Sequence, residues 1–101
     1  MVKFKNQKQI ILWLTPEVYK AAKDFNDNRN CPIATAVKQQ LSGINPKEYT
    51  GCSSYDATIG GISYDIIGSC GMSQYVEHAR KHNLTVPVIL KKNGKTYFGC
   101  G

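Results

Sequence analysis

The chain has 101 residues, of which 42% are hydrophobic and 10% aromatic, and its formal net charge is +6. This length suits one domain with a single core and excludes two, and the apolar fraction excludes a disordered chain. The charge favours anionic partners or serves solubility alone, and no stretch reaches the roughly 18 consecutive apolar residues of a membrane span.

The first predicted element is a strand over Ile10 to Leu14, because this short run is apolar on both faces, as is typical of a central strand. The residues before it, 1–7, are predicted to form a basic N-terminal arm. Thr15, Pro16 and Glu17 then have the character of a helix N-terminus, and apolar spacings of three and four predict a helix over 16–25.

A second helix is predicted over 32–41, after the polar turn 26–30. It begins at Cys31-Pro32, since proline suits the first helical position, and Gly43 is the residue expected to end it. Residues 44–53 contain proline, glycine and serine without periodicity and are predicted to be a loop.

Alternating residues on both sides of Gly60-Gly61 predict a β-hairpin, because glycine accepts the positive φ of tight hairpin turns. The same alternation places Asp56 and Asp65 toward water. A third helix is predicted over 72–82, with Asn83 as its stop.

The strand after this helix is predicted to be well paired only from Val88, because Pro87 has no amide hydrogen. Asn93-Gly94 predicts a turn into a last strand over 96–98. The resulting order, β-α-α-β-β-α-β-β, predicts one α+β domain over residues 1–101. Its sheet is mostly antiparallel or mixed, with the helices packed on one face.

Charge is divided unevenly along the chain. No lysine or arginine lies between Glu48 and Ala79, yet this window holds four acidic residues and four of the six tyrosines. Tyrosine is favoured at protein interfaces, so the window predicts an acidic protein-binding surface. The predicted contact residues are Tyr49, Asp56, Asp65 and Glu77, with Tyr49 the first choice because it lies in a loop.

The basic flanks predict an alternative, in which lysines track the phosphates of a nucleic acid. The lysines assigned to this role are Lys3, Lys5, Lys8, Lys20, Lys23, Lys91, Lys92 and Lys95. They form no helix of the kind that reads a DNA groove, so binding would not depend on sequence.

Cys31 is the candidate nucleophile for a third alternative, a thiol enzyme, because the helix dipole stabilises the thiolate form of a cysteine at a helix N-terminus. His78 and His82 stand four residues apart on the third helix, a spacing that suits two metal ligands, with Cys70 as a third. No C-x-x-C pair occurs, and neither a metal nor a cofactor is predicted.

Residues 31–36 read C-P-I-A-T-A, which has the form C-P-[IL]-A-x-A. In this segment, and in the order of elements over residues 8–91, the chain resembles a group of small uncharacterised bacteriophage and prophage proteins. It departs from them in the long segment 43–53 and in the additional C-terminal hairpin. The resemblance implies a phage context and a similar layout, but no chemistry.

The N-terminus lacks the apolar core of a signal peptide, so we expect a cytoplasmic protein inside a host cell rather than a secreted one. The favoured function is a non-enzymatic accessory protein that engages a host protein, an inhibitor of host defence being one form of this. A nucleic-acid binder and a thiol enzyme are the alternatives. A homodimer is compatible with the sequence, and no membrane partner is expected.

Overall fold

The computed structural model describes residues 2–5, 7–22, 30–53 and 56–93. Its strands are β1 (Val2–Lys3), β2 (Gln9–Leu14), β3 (Leu41–Ser42), β4 (Gly51–Cys52), β5 (Asp56–Ile59), β6 (Ile62–Ile66) and β7 (Val86–Lys92). Its helices are α1 (Pro16–Ala21), α2 (Pro32–Gln40) and α3 (Met72–Lys81), and a 3-10 turn at Ser69–Gly71 precedes α3. The predicted α+β class is confirmed.

Five strands form an antiparallel sheet in the order β2-β7-β6-β5-β4, and β1 pairs with β3 in a separate two-stranded parallel sheet. The three helices and the inward side chains of the large sheet share one core. The largest fully buried side chains in it are Leu12, Leu14, Val18, Val37, Ile59, Tyr64, Val88 and Leu90. The helices therefore cover one face of the sheet, as the element order predicts.

The predicted starts of α1 and α2 are confirmed, and each has a capping side chain. The Thr15 hydroxyl accepts a hydrogen bond from the Val18 amide at 3.2 Å, and proline follows at the first helical position. At α2 the cap is the Cys31 thiol, which accepts from the Ala34 amide at 3.5 Å. The helix α2 ends at Gln40, because Leu41 is already extended and enters β3.

The hairpin between β5 and β6 is also confirmed. Ile59 pairs with Ile62 across a two-residue turn, in which Gly60 and Gly61 both have positive φ, at 56° and 79°. A side chain at either position would have to adopt the left-handed region that glycine enters freely.

The predicted central position of Ile10 to Leu14 is wrong, because β2 lies at an edge of the sheet and, among the described strands, pairs only with β7. Its side chains alternate instead of being buried on both faces: Leu12 is fully buried, whereas Ile11 is 49% and Trp13 46% exposed. The described helices cover only the inner face of the sheet, so none of them packs against the apolar residues on the outer face of β2.

Pairing in β7 starts at Val86 rather than at Val88, so that expectation is wrong as well. Val86 and Val88 lie opposite Leu14 and Leu12 of β2, and their backbone groups face that strand. Pro87 turns its nitrogen toward the β6 side, beyond the last residue of β6. Its missing amide hydrogen therefore removes no ladder bond.

Several predicted segments end differently or fall outside the described chain. Val2 and Lys3 of the predicted arm form β1, and β4 lies within the predicted loop 44–53. The helix α1 ends at Ala21, and the remainder of its predicted range from residue 23 onward is outside the described residues, as is the predicted strand 96–98.

Candidate protein interface

The outer face of the large sheet carries large apolar side chains that no described helix covers. Ile11 and Trp13 of β2 point to this face, and so does Ile67, which follows β6 and is 46% exposed. Pro87 and Ile89 of β7 share this orientation, because they alternate with the buried residues Val88 and Leu90.

The strand register places these side chains in two neighbouring rows. Ile11 lies opposite Ile89, and the Ile67 amide donates to the Ile89 carbonyl at 2.9 Å, so three isoleucines cross the sheet side by side. In the next row Trp13 lies opposite Pro87, whose carbonyl accepts a hydrogen bond from the Tyr75 hydroxyl at 2.8 Å. The apolar patch is defined as Ile11, Trp13, Ile67, Pro87 and Ile89 on the outer face, together with Tyr75, which reaches this end of the sheet from α3.

A row of polar residues borders the apolar patch along the isoleucine side. Asp56 lies opposite Asp65, Asp65 opposite Lys91, and Lys91 opposite Gln9. The Ser53 hydroxyl donates to the Asp56 carboxylate at 2.7 Å, and the Asn93 amide donates to the Asp65 carboxylate at 2.5 Å. These bonds hold the two carboxylates on the sheet surface. We call Gln9, Asp56, Asp65 and Lys91 the polar row.

The predicted acidic residues do not form one surface. Asp56 and Asp65 are together in the polar row, but the Tyr49 carbonyl accepts from the Gly61 amide at the far tip of the β5–β6 hairpin. Its ring lies against Gly51 and is 45% exposed. Glu77 is on α3, in the helical layer, where its hydrogen bond and ion pair with Arg80 lower the pKa of its carboxyl group.

The predicted basic residues are also dispersed. Lys8, Lys91 and Lys92 line one shallow groove at the end of β2 and β7, where the Lys92 amide donates to the Lys8 carbonyl at 2.8 Å. Lys3 lies on β1, Lys5 follows it, and Lys20 is on α1. Lys23 and Lys95 are outside the described residues.

A second groove follows the outer edge of β2. It is lined by Gln7, Gln9, Gln39 and Gln40, together with Val2, Ile11, Trp13 and Glu17 and neighbouring residues. At one end the Gln40 side chain accepts from the Trp13 amide at 2.8 Å and donates to the Trp13 carbonyl at 2.6 Å. We call this the edge groove.

Cys31 is placed as a structural cap rather than as an accessible nucleophile. Its side chain is 8% exposed, its thiol accepts from the Ala34 amide, and it donates to the Cys52 carbonyl at 3.6 Å. Burial raises the pKa of the neighbouring Cys52 thiol, and the nearby Cys31 and Asp56 add to this shift. This geometry gives the thiol-enzyme alternative no support.

The predicted histidine pair is close in space, with ring centroids 4.5 Å apart, and both rings are exposed. Cys70 lies on the 3-10 turn before α3. Over residues 2–5, 7–22, 30–53 and 56–93, no group of three or more histidine, cysteine, aspartate or glutamate side chains is placed to hold a metal ion.

Sequence reasoning missed the members of the apolar patch, although one signal for them was present. A strand that is apolar on both faces, in a sheet whose helices all lie on one side, leaves one of its apolar faces uncovered. Gln40 carried no comparable signal, because its contact with Trp13 depends on how α2 ends beside β2.

Comparison of the chain with protein-family models, with curated proteins and with solved structures gave no match. None of the helices in the described part of the chain has the length and apolarity needed to cross a bilayer.

Proposed function

We propose that this protein binds a protein partner through the apolar patch and the polar row. The observation that carries the proposal is the outer face of the sheet, which no described helix covers and where Ile11, Trp13 and Ile67 are each nearly half exposed in two neighbouring rows. Contiguous exposed apolar side chains rimmed by polar residues are characteristic of interaction sites, whereas single exposed apolar residues are not.

The polar row indicates the chemistry of the partner. Asp56 and Asp65 lie directly opposite each other, an arrangement in which like charges destabilise a sheet. Among the described strand residues that pair with these two, Lys91 opposite Asp65 supplies a positive charge on one side. A lysine or arginine of the partner, placed above the two carboxylates, would relieve the repulsion. The partner therefore has an apolar surface with a basic side chain beside it.

Within the apolar patch, Trp13 and Tyr75 are the residues expected to contribute most to binding. Large aromatic side chains with a polar group dominate binding energies at protein interfaces. Following the resemblance to phage proteins, the proposed partner is a host protein met in the cytoplasm, and inhibition of host defence is one form that the interaction takes.

The test compares variants that each lose one exposed apolar side chain, either inside the apolar patch or outside it. Ile67→Ser and Trp13→Ser remove patch residues, and Val2→Ser removes an apolar side chain that is 61% exposed on β1. Each protein is immobilised and exposed to nuclease-treated host lysate. We expect the immobilised parent and Val2→Ser to retain the same lysate protein. Either patch variant should retain at least about tenfold less of it.

Equal retention by all four proteins would overturn the proposal, as would retention lost equally with Val2→Ser. Circular dichroism of each variant shows whether the fold is intact. A basic segment in the captured protein is then tested with Asp65→Asn, which removes one charge of the polar row and weakens binding if the proposed chemistry holds.

A second candidate function is nucleic-acid binding, favoured by the convergence of Lys8, Lys91 and Lys92 on one groove. Binding of this kind depends on the release of counterions and weakens steeply as salt rises. The probe is a fluorescent single-stranded oligonucleotide, titrated at several salt concentrations. Replacing the three lysines by glutamine should flatten the salt dependence, whereas the matched changes at Lys3, Lys5 and Lys20 should affect it less. Binding that is independent of salt excludes this function.

A further inference from the structure

The outer edge of β2 has backbone groups directed away from the sheet. The amide and carbonyl of Trp13 point outward to Gln40, and backbone groups two residues apart in a strand point the same way. Those of Gln9 and Ile11 therefore face the edge groove. In the part of the chain that the structure describes, no strand pairs with this side of β2.

Gln40 occupies the place that one residue of a neighbouring strand would take. Its side-chain amide both donates to and accepts from Trp13, as a paired backbone residue does. The edge groove thus suits an extended backbone, and four of the chain's five glutamines line it.

Charge indicates which extended backbone fits. Lys8 stands at the Gln9 end of the edge, and Glu17 lines the groove near the Leu14 end. A strand edge with opposite charges at its two ends is complementary to an antiparallel copy of itself. A two-fold axis places the positive end of one copy beside the negative end of the other.

We propose that two copies of the chain pair through β2, antiparallel and about a two-fold axis at Ile11. Ile11 of each copy then exchanges amide and carbonyl bonds with Ile11 of the other. Gln40 releases Trp13, whose backbone groups pair with Gln9 of the second copy, so the number of hydrogen bonds at Trp13 is kept. The two sheets become one, and the two apolar patches form a continuous surface.

The first test removes the outward amide without touching the bonds between β2 and β7. Ile11→Pro deletes the outward-facing N–H, a change that an edge strand accepts on its free side. Sedimentation equilibrium should show a dimer for the parent and a dissociation constant raised at least about tenfold for the variant. Gln40→Ala, which removes the competitor for Trp13, should lower the dissociation constant.

The second test uses only exposed charges and so does not depend on whether Ile11→Pro folds. Lys8→Glu and Glu17→Lys each place like charges at both ends of the paired edges and should each weaken the dimer. A 1:1 mixture of the two variants should restore association as a heterodimer, because every contact between the copies is again between opposite charges.

A monomeric parent over the accessible concentration range overturns the proposal, and a peptide of another protein then becomes the candidate occupant of the groove. A dimer that is unaffected by the charge variants also overturns it, since the copies must then meet elsewhere. Neither measurement involves a partner protein, so failure here leaves the proposed function standing, and the reverse also holds.

Discussion

Neighbouring side chains of β2 have opposite environments. Leu12 is fully buried among the helices, and Ile11 is 49% exposed on the outer face. Their chemistry is nearly the same, so their contributions to stability differ only because the sheet has one covered face. The contrast between these two positions is therefore a direct measure of which face is the core.

We predict that Leu12→Ala lowers the free energy of unfolding by about 2–4 kcal/mol, because it leaves a cavity in the core. Ile11→Ala should cost less than about 1 kcal/mol, since half of that side chain is already in water. Urea titration of both variants measures the difference. Equal losses would show that the outer face is covered in solution, by a partner copy or by another segment.

Tyr64 and Tyr49 allow a similar comparison. The Tyr64 ring is fully buried, and its hydroxyl donates to the Gln7 carbonyl at 2.8 Å, whereas Tyr49 is 45% exposed. Tyr64→Ala should cost about 3–5 kcal/mol in the same titration. Tyr49→Ala should cost less than about 1 kcal/mol. If Tyr49→Ala also weakens binding of the partner by about 1–2 kcal/mol, Tyr49 belongs to the interface, and if it does not, the loop that carries Tyr49 lies outside the interface.

At the scale of elements, the sequence was sufficient to predict the structure wherever a few adjacent residues determine it. The starts of α1 and α2 follow from their capping residues and prolines, and the β5–β6 turn follows from two glycines. The edge position of β2 was not predictable, because strand order depends on pairing with β7 at the other end of the chain. The polar row likewise exists only through the register of four strands.

The edge position of β2 predicts an alternating pattern of amide hydrogen exchange. The Leu12 amide faces β7 and should exchange only in rare opening events, whereas the Ile11 amide faces the edge groove and should exchange much faster. The Trp13 amide donates a hydrogen bond to Gln40 and should exchange at an intermediate rate. In the variant Gln40→Ala, the Trp13 amide should exchange as fast as the Ile11 amide. Slow exchange at Ile11 in dilute protein would contradict an open edge.

For the molecule as a whole, the buried Cys52 thiol makes stability depend on pH. Burial raises the pKa of this group in the folded state above its ordinary value of about 8.5. Its contribution is therefore fully present below that value and is lost as pH rises, because the unfolded chain releases the proton first. In urea titrations the parent should lose up to about 1.4 kcal/mol per pH unit from this one group above about pH 8.5.

The variant Cys52→Ala isolates that contribution. It should be less stable than the parent at neutral pH, since a buried side chain is shortened, but its stability should fall less steeply between about pH 8.5 and 9.5. This interval lies below the range in which Tyr19 and Tyr64 ionise, since burial raises the pKa of both hydroxyl groups. If the free energy of unfolding falls equally steeply with pH in both proteins, the pKa of the Cys52 thiol does not differ between the folded and unfolded states.

The pairing of β2 with β7 also has a consequence for synthesis of the chain. β2 is made well before β7, which joins it to the rest of the sheet and is the last strand of the described chain. At roughly 5–20 residues per second, the ribosome needs several seconds to deliver that partner. Until then the run from Ile10 to Leu14 has neither its strand partner nor its completed core. The nascent chain thus exposes this apolar segment to chaperones throughout the interval between the synthesis of β2 and that of β7.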